Sequence, residues 1–361
     1  MSADRLLRFQ AIGEHLAGQE YDIVCLQEVW CEADYREVCK LAGAKLPHSH
    51  YFRAGTIGSG TVVFSKVPIL QAVFTEFSQN GLPHRVWHGD WWAGKGLGLC
   101  VLQLRGLTVQ VFVSHLHAEY RRVGDIYLGH RLVQALQAAQ WVGLAGSGAD
   151  LILYAGDLNT EPSDAPYWLL RTVGELKDSW EEAGTGPGET CNTEYSSYRE
   201  PGHAKRIDYI LYRAGPGRAA WVERAELPLP RRVPGGQVSY SDHEAVCAVV
   251  VVEPRQMEAE KTAEAAEMRY KAVVRAGGLV ETALAATSQA ELLYSALTLL
   301  LLALLAAGPS LPLPAQLLLT LAAGYTAAMA TLFSRRERNA LTETRDELSL
   351  LQSRSNIREI E

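Results

Sequence analysis

The 361-residue sequence predicts an α/β fold of two packed, mostly antiparallel mixed β-sheets flanked by helices, followed by a C-terminal transmembrane helical hairpin. Two observations lead there. Short apolar runs of strand type alternate with helical periodicities and then follow one another in pairs, the pattern of sheets covered by helices. Near the C-terminus, residues 292–305 and 311–333 carry no charge, and the second run is long enough to cross a hydrocarbon core of about 30 Å.

In chain order, Leu6, Phe9, Ile12 and Leu16 recur at helical spacing, and Gly18 ends the run. Residues 22–26 (Asp-Ile-Val-Cys-Leu) read as a short buried strand that stops at Gln27 and Glu28. A helix is expected over 31–41 and a turn over 47–50. The glycine-rich turn 55–60 precedes a strand at 61–64. A loop from Val86 to Gly98, holding Trp87, Trp91 and Trp92, feeds strands at 99–104 and 107–113, joined by a tight turn at Arg105–Gly106. A helix over 125–144, a strand over 151–155, a helix over 167–176, a Gly/Ser/Thr-rich loop over 185–201 and a strand over 207–212 come next. A β-branched run after His243 closes this part at Val252.

Beyond it, residues 253–274 are charged and Ala-rich, read as a solvated helix or linker that Gly277–Gly278 breaks. The two uncharged runs meet at Gly308–Pro309–Ser310, and the sparse stripe Leu341, Leu348 and Leu351 reads as a solvated tail helix. The expected division is an α/β domain over 1–252, a charged helical linker over 253–290, two transmembrane helices over 291–334 and a cytosolic helical tail over 335–361. Arg269, Lys271 and Arg275 precede the hairpin and Arg335, Arg336 and Arg338 follow it, which places both ends on the cytosolic side of a multi-pass membrane protein. The alternative is a buried hairpin in a soluble protein. A net charge of −7 without a basic stripe argues against nucleic acid as a partner. The N-terminus lacks a secretory apolar segment, and the six cysteines lack metal-type spacing, so they read as reduced thiols. Nothing in the sequence sets an oligomeric state.

Polar groups gather where the strands end: Glu28, His115, Asp157, Asn159, Asp208, Asp242 and His243. Such a set suits phosphodiester hydrolysis assisted by a divalent metal. Mg²⁺ takes oxygen ligands and keeps several waters, so Glu28 plus phosphate oxygens is a sufficient set of ligands; no thiolate or paired-His signature favours zinc. His243 can take a proton from water near neutral pH while the adjacent Asp242 orients its ring. Asp157 and Asn159, two apart on an extended backbone, can hold the water and stabilise a non-bridging oxygen. His115 can reach that oxygen or the leaving group. Each of these residues also has an ordinary structural use, Gly-Asp-x-Asn being good turn chemistry; it is the five motifs in sequence that point to a site.

Those motifs, Leu26–Gln27–Glu28, Ser114–His115–Leu–His–Ala118, Gly156–Asp157–Leu–Asn159, Arg206–Ile–Asp208–Tyr209 and Ser241–Asp242–His243, stand in the order of the endonuclease/exonuclease/phosphatase superfamily. Within it, Phe52–Gly60, Phe64–Ser–Lys66, His88–Gly–Asp–Trp91–Trp92–Ala–Gly–Lys95 and His115–Tyr120 resemble the neutral sphingomyelinases. The resemblance implies a deoxyribonuclease-like four-layer sandwich and Mg²⁺-dependent hydrolysis of membrane sphingomyelin to ceramide and phosphocholine. It assigns Glu28 to the metal, His243 to the base, Asp242 to its support, Asp157 and Asn159 to phosphate and water, His115 to phosphate or leaving oxygen, and Asp208 to organising the site from behind. Trp91 and Trp92 are expected at the lipid interface, and Lys95 at the phosphate or paired with Asp90. It also makes the endoplasmic reticulum or nuclear envelope the expected membrane. Family members usually begin with a further Asn-bearing strand upstream of the segment matched by Asp4–Arg5; its absence would expose sheet edges and remove a metal-site partner. Two alternatives stay open: a choline lysophospholipid phosphodiesterase of the same mechanism, and a catalytically weak truncated isoform that serves as a membrane interaction module.

Overall fold

The computed structural model describes residues 4–255, 263–308 and 311–357. In chain order its elements are α1 (Arg5–Ala17), β1 (Ile23–Leu26), α2 (Glu32–Ala42), β2 (His48–Tyr51), β3 (Val62–Ser65), β4 (Ile69–Glu76), β5 (Gly96–Leu104), β6 (Leu107–His115), α3 (Leu128–Ala145), β7 (Leu151–Asp157), α4 (Ala165–Gly174), β8 (Lys177–Asp178), α5 (Ser179–Ala183), β9 (Asp208–Ala214), β10 (Arg218–Glu226), β11 (Cys247–Pro254), α6 (Ala263–Ala307), α7 (Leu313–Ala328) and α8 (Ser334–Ile357). A π-helical turn, Met329–Phe333, joins the last two.

Side-chain alternation explains the layering. Along β6, Val111 and Val113 join Val63, Phe52 and Val222 in an apolar layer between sheets, while Phe112 points the other way, into a core shared with Leu136 of α3 and Leu169 of α4. Along β3, Val63 faces the sheets, and Val62 and Phe64 face Val38 of α2 and Leu16 of α1. Helices, small sheets, large sheet and helices therefore stack as four layers, the architecture the strand pattern predicts. The large sheet has the order β4-β5-β6-β7-β9-β8 and is antiparallel except for β6–β7, where α3 makes the crossover. β2-β3-β1 and β10-β11 form the smaller sheets. β1 and β11 each have one unpaired edge among the described residues. Against expectation, His48–Tyr51 is a strand rather than a turn, because it completes the ladder beside the fully buried β3.

The C-terminal third corrects two expectations. α6 runs unbroken through Gly277–Gly278, because Val273, Ala276 and Val280 on one face pack into the core with α3 and α4 and offset the poor helix propensity of glycine. The segment read as a linker is thus a docked helix over its described part; residues 256–262 lie outside the described residues. The tail is not solvated either: Ala340, Leu341 and Leu348 of α8 are buried in that same core. Beyond it the hairpin stands bare, with Leu292, Leu299, Leu318 and Leu321 each about 70% exposed. Its joint at Pro309–Ser310 and the last residues, 358–361, fall outside the described residues.

Candidate active site

Strand register does most of the assembly. The parallel β6–β7 pair sets His115 beside Asp157, and the antiparallel β7–β9 pair sets Asp157 beside Asp208, so three strands deliver three polar side chains abreast at one end of the large sheet. Gly156 makes this possible: its φ is +151°, and a Cβ there would lie 1.9 Å from the Ser114 carbonyl oxygen of β6. His243 reaches the same place from the loop before β11, through an antiparallel bridge to Cys191.

The contacts are specific. His115 Nε2 lies 3.3 Å from Asp157 Oδ2, and its buried Nδ1 has no hydrogen-bond partner among the described residues. Asn159, with φ +46°, folds back so that its backbone N–H donates to Asp157 Oδ1 at 2.7 Å. Its amide donates to Asp157 Oδ2 at 3.2 Å and to the Leu116 carbonyl at 3.0 Å. His243 Nδ1 lies 2.9 Å from Asp208 Oδ2. Ligand atoms of Asp157, Asp208 and His243 all fall within 4.8 Å of one another, and Asp157 is buried.

That convergence controls protonation. Burial opposes charge on Asp157, but His115, His243 and the Asn159 N–H outweigh it and hold the carboxyl below its usual range. Burial would likewise lower the His243 pKa; Asp208, Cys191 and Asp157 overcome it and hold the ring well above its ordinary value. Burial pushes Asp208 upward, assisted by Asp157 and opposed by His243. The two carboxylates thus favour the charged imidazole; a cation held by them would offset that and leave Nε2 free to accept a proton.

Two expected roles change. Asp208, expected only to organise the site from behind, is the residue that orients His243. Asp242, expected to support that ring, is exposed, and its carboxylate accepts from its neighbour Ser241 at 3.0 Å. A strand position fixes Asp208 opposite the imidazole, whereas side chains adjacent in sequence point apart. Glu28 sits just beyond β1 with φ +58°, exposed and outside that three-residue cluster, and its carboxylate has no partner among the described residues. The Asn159 amide, expected at the phosphate, is committed to Asp157 and Leu116. Of the two uses expected for Lys95, pairing with Asp90 is the one present: its ammonium is buried, 2.6 Å from Asp90 and 2.7 Å from the Leu116 carbonyl. Trp91 and Trp92 pack edge to face at 4.7 Å and are half-buried.

Sequence reasoning missed Thr190. Its buried Oγ1 accepts the N–H groups of Ile207 and Asp208, both at 3.2 Å, and so seats the start of β9. No local signal separates it from its Gly/Ser/Thr-rich loop.

The chain is similar to known proteins in sequence and in fold. Residues 2–243 match the Endonuclease/Exonuclease/phosphatase family. The chain is 36% identical over 264 residues to human sphingomyelin phosphodiesterase 2, covering 70% of this chain and 62% of that one. It is 31% identical over 290 residues to the inositol phosphosphingolipids phospholipase C of Schizosaccharomyces pombe, covering 73% and 68%. The chain spans only 61% of the length of a Drosophila melanogaster relative with which it shares 41% identity. Among solved structures, beta toxin from Staphylococcus aureus superposes with a TM-score of 0.54 at 19% identity, over 68% of this chain and 92% of that one. Danio rerio TDP2, complexed with a single-strand DNA product, does so at 0.56 and 19%, over 69% and 94%. The structural neighbours speak for the fold alone. With the motifs in order, three of them abreast on one sheet and two thirds of the chain matched, the chain belongs to the endonuclease/exonuclease/phosphatase family.

Proposed function

We propose that this chain is a membrane-anchored, Mg²⁺-dependent phosphodiesterase that hydrolyses sphingomyelin to ceramide and phosphocholine by attack of water on phosphorus. The single observation that carries the reading is the His243–Asp208 contact beside Asp157, a base held by one carboxylate next to another. The lipid class is suggested by the human and fission-yeast relatives, whose names share a phosphosphingolipid substrate.

The donor set fits a hard divalent cation. Asp157 and Asp208 present converging carboxylates, and Glu28 offers one that no protein group engages. These three would hold Mg²⁺, which when bound withdraws charge from the non-bridging phosphate oxygens. His243 takes the proton of the attacking water at Nε2. Asp208, on Nδ1, fixes the tautomer and steadies the resulting imidazolium. His115 donates from Nε2 to Asp157, and only a doubly protonated ring would also donate from Nδ1 to a phosphoryl or leaving oxygen. Asn159 positions Asp157 rather than the substrate.

The hairpin supplies the anchor. The apolar part of α6, residues 292–307, rises about 24 Å, and residues 313–333 rise about 31 Å, close to the thickness of a hydrocarbon core. Arg335 and Arg336 are exposed at its foot, and Arg338 is ion-paired with Glu291 there, which supports a cytosolic position for both ends. The resemblance to neutral sphingomyelinases supports the endoplasmic reticulum or nuclear envelope as the membrane.

The test is a Mg²⁺ titration of phosphocholine release from sphingomyelin in mixed micelles, with lysophosphatidylcholine as the competing substrate. Release that rises with Mg²⁺ and falls about 10²–10⁴-fold in His243→Ala is expected. Faster release of monoacylglycerol than of ceramide would move the assignment to the lysophospholipid. No Mg²⁺-dependent turnover of either lipid by a folded, vesicle-bound chain would leave the membrane-module reading in its place.

A further inference from the structure

The loop expected to meet lipid through Trp91 and Trp92 keeps both half-buried and exposes a different tryptophan. Trp87 is 70% exposed and Val86 58%. A second loop places Val123 (90% exposed) and Ile126 (50%) in solvent. The two loops are clamped together: His88 stacks on Tyr120 with ring centroids 3.8 Å apart, and its Nδ1 lies 2.6 Å from the buried Tyr127 hydroxyl. Buried residues anchor the apolar tips: Arg131 is ion-paired with Asp125, and Asp90 accepts from the exposed Tyr120 at 2.6 Å. The four apolar side chains are therefore held outward by fixed neighbours. This region costs apolar exposure without any protein surface to cover it.

Its position says what covers it. At one end the first loop touches the foot of the hairpin, His84 against Tyr294 at 6.3 Å and Trp91 against Phe333 at 6.4 Å. At the other end the second loop touches the mouth of the site. Glu119 pairs with Lys205 at 2.9 Å, the Lys205 carbonyl accepts the Cys191 N–H, and Cys191 bridges to His243. Arg121 and Arg122 precede Val123 and are exposed, Arg122 being held by Asp164 at 2.6 Å and Glu119 at 2.9 Å.

The geometry points to a second membrane contact: Val86, Trp87, Val123 and Ile126 form a shallow apolar rim that enters the headgroup region beside the hairpin and holds the mouth of the site at the lipid surface. The inference rests on the reading of the hairpin as a bilayer anchor. Trp is suited to such a depth because its ring is apolar and its N–H is polar, and arginines beside it can keep their charge in water while their stems lie on the lipid. The rim does not substitute for the hairpin. It orients a chain that is already anchored.

The experiment uses the full chain in phosphatidylcholine vesicles carrying bromine at acyl positions 6 and 7, and reads the difference in tryptophan emission between the unmodified chain and Trp87→Phe. The Trp87 component is expected to be quenched, and less so with bromines at positions 11 and 12. Val123→Asp combined with Ile126→Asp is expected to leave vesicle flotation intact, reduce quenching of Trp87, and lower hydrolysis of vesicle sphingomyelin about tenfold. Hydrolysis of a short-chain water-soluble analogue should be unchanged by that double variant. A chain that floats with its vesicles while Trp87 stays unquenched overturns the rim and leaves the hairpin standing. A chain that does not float overturns both.

Discussion

Two regions of this molecule break the ordinary rule of burial in opposite senses. At the ends of β6, β7 and β9, His115 and Asp157 are removed from water, with charges within reach of one another; along the hairpin, leucines stand in the open. Each exception costs free energy in an aqueous globule, and each names what offsets it. On the proposed function, a cation and a phosphoryl group complement the first and a bilayer the second. Within α6 the contrast is sharpest: the charged first part is packed through Val273, Ala276 and Val280, whereas the uncharged second part touches little.

Putting charge into the bare region should have the largest effect. Leu299→Lys with Leu321→Lys places two ammonium groups near the middle of the hairpin arms, at about 2.5–3.5 kcal/mol each for a helix centre, so about 5–7 kcal/mol together. Flotation with vesicles should be lost while the soluble part keeps its circular dichroism. Retained flotation would mean that the leucines meet protein instead of lipid.

Next in size is the site. Asp208→Asn removes the carboxylate that holds His243 and should lower kcat about 10²–10⁴-fold. Asp242→Asn should cost at least ten times less, since Asp242 does not touch the ring. The comparison is read as phosphocholine release with Tm measured alongside; equal losses would return the supporting role to Asp242.

How far the sequence reveals each region follows from the range of the signals involved. His115, Asp157, Asn159 and Asp208 lie at or next to the ends of strands whose apolar runs are local, so their gathering at one edge of the sheet is legible. Which carboxylate serves His243 is not, because the β7–β9 register and the Cys191–His243 bridge are decided between segments far apart in the chain. β2, β4 and β10 went unread because polar and charged residues break their pattern, and only their ladders hold them. The hairpin's composition is unmistakable, yet the docking of the helices around it is hidden. Leu341 and Leu348, a heptad apart, resemble a weak solvated stripe until α3, α4 and α6 supply the groove they fill.

That docking makes the third prediction. Leu341 is 2% exposed, and Leu341→Ala should destabilise the soluble part by about 2–5 kcal/mol, read from denaturant unfolding. Leu350→Ala, 64% exposed on the same helix, should stay within about 0.5 kcal/mol. If both are neutral, α8 is the free tail that composition suggests.

The smallest effect concerns a charge buried in that seam. Burial lifts the Glu337 carboxyl to about 7, against a hydrogen bond from Thr287 of α6. Its unfolded value is about 4.3, so between these limits the folded chain binds more protons than the unfolded one. Stability from this group is complete below the lower limit and drains away as pH rises to about 7. Glu337→Gln keeps the size and the capacity to hydrogen-bond but has no proton to lose. Thermal unfolding from about pH 5 to 7.5 should therefore show the unmodified chain losing a few degrees more than the variant, with the two curves crossing or converging toward the acid end. Parallel curves would place Glu337 in water and loosen the seam between α6 and α8 on which the packed half of the comparison depends.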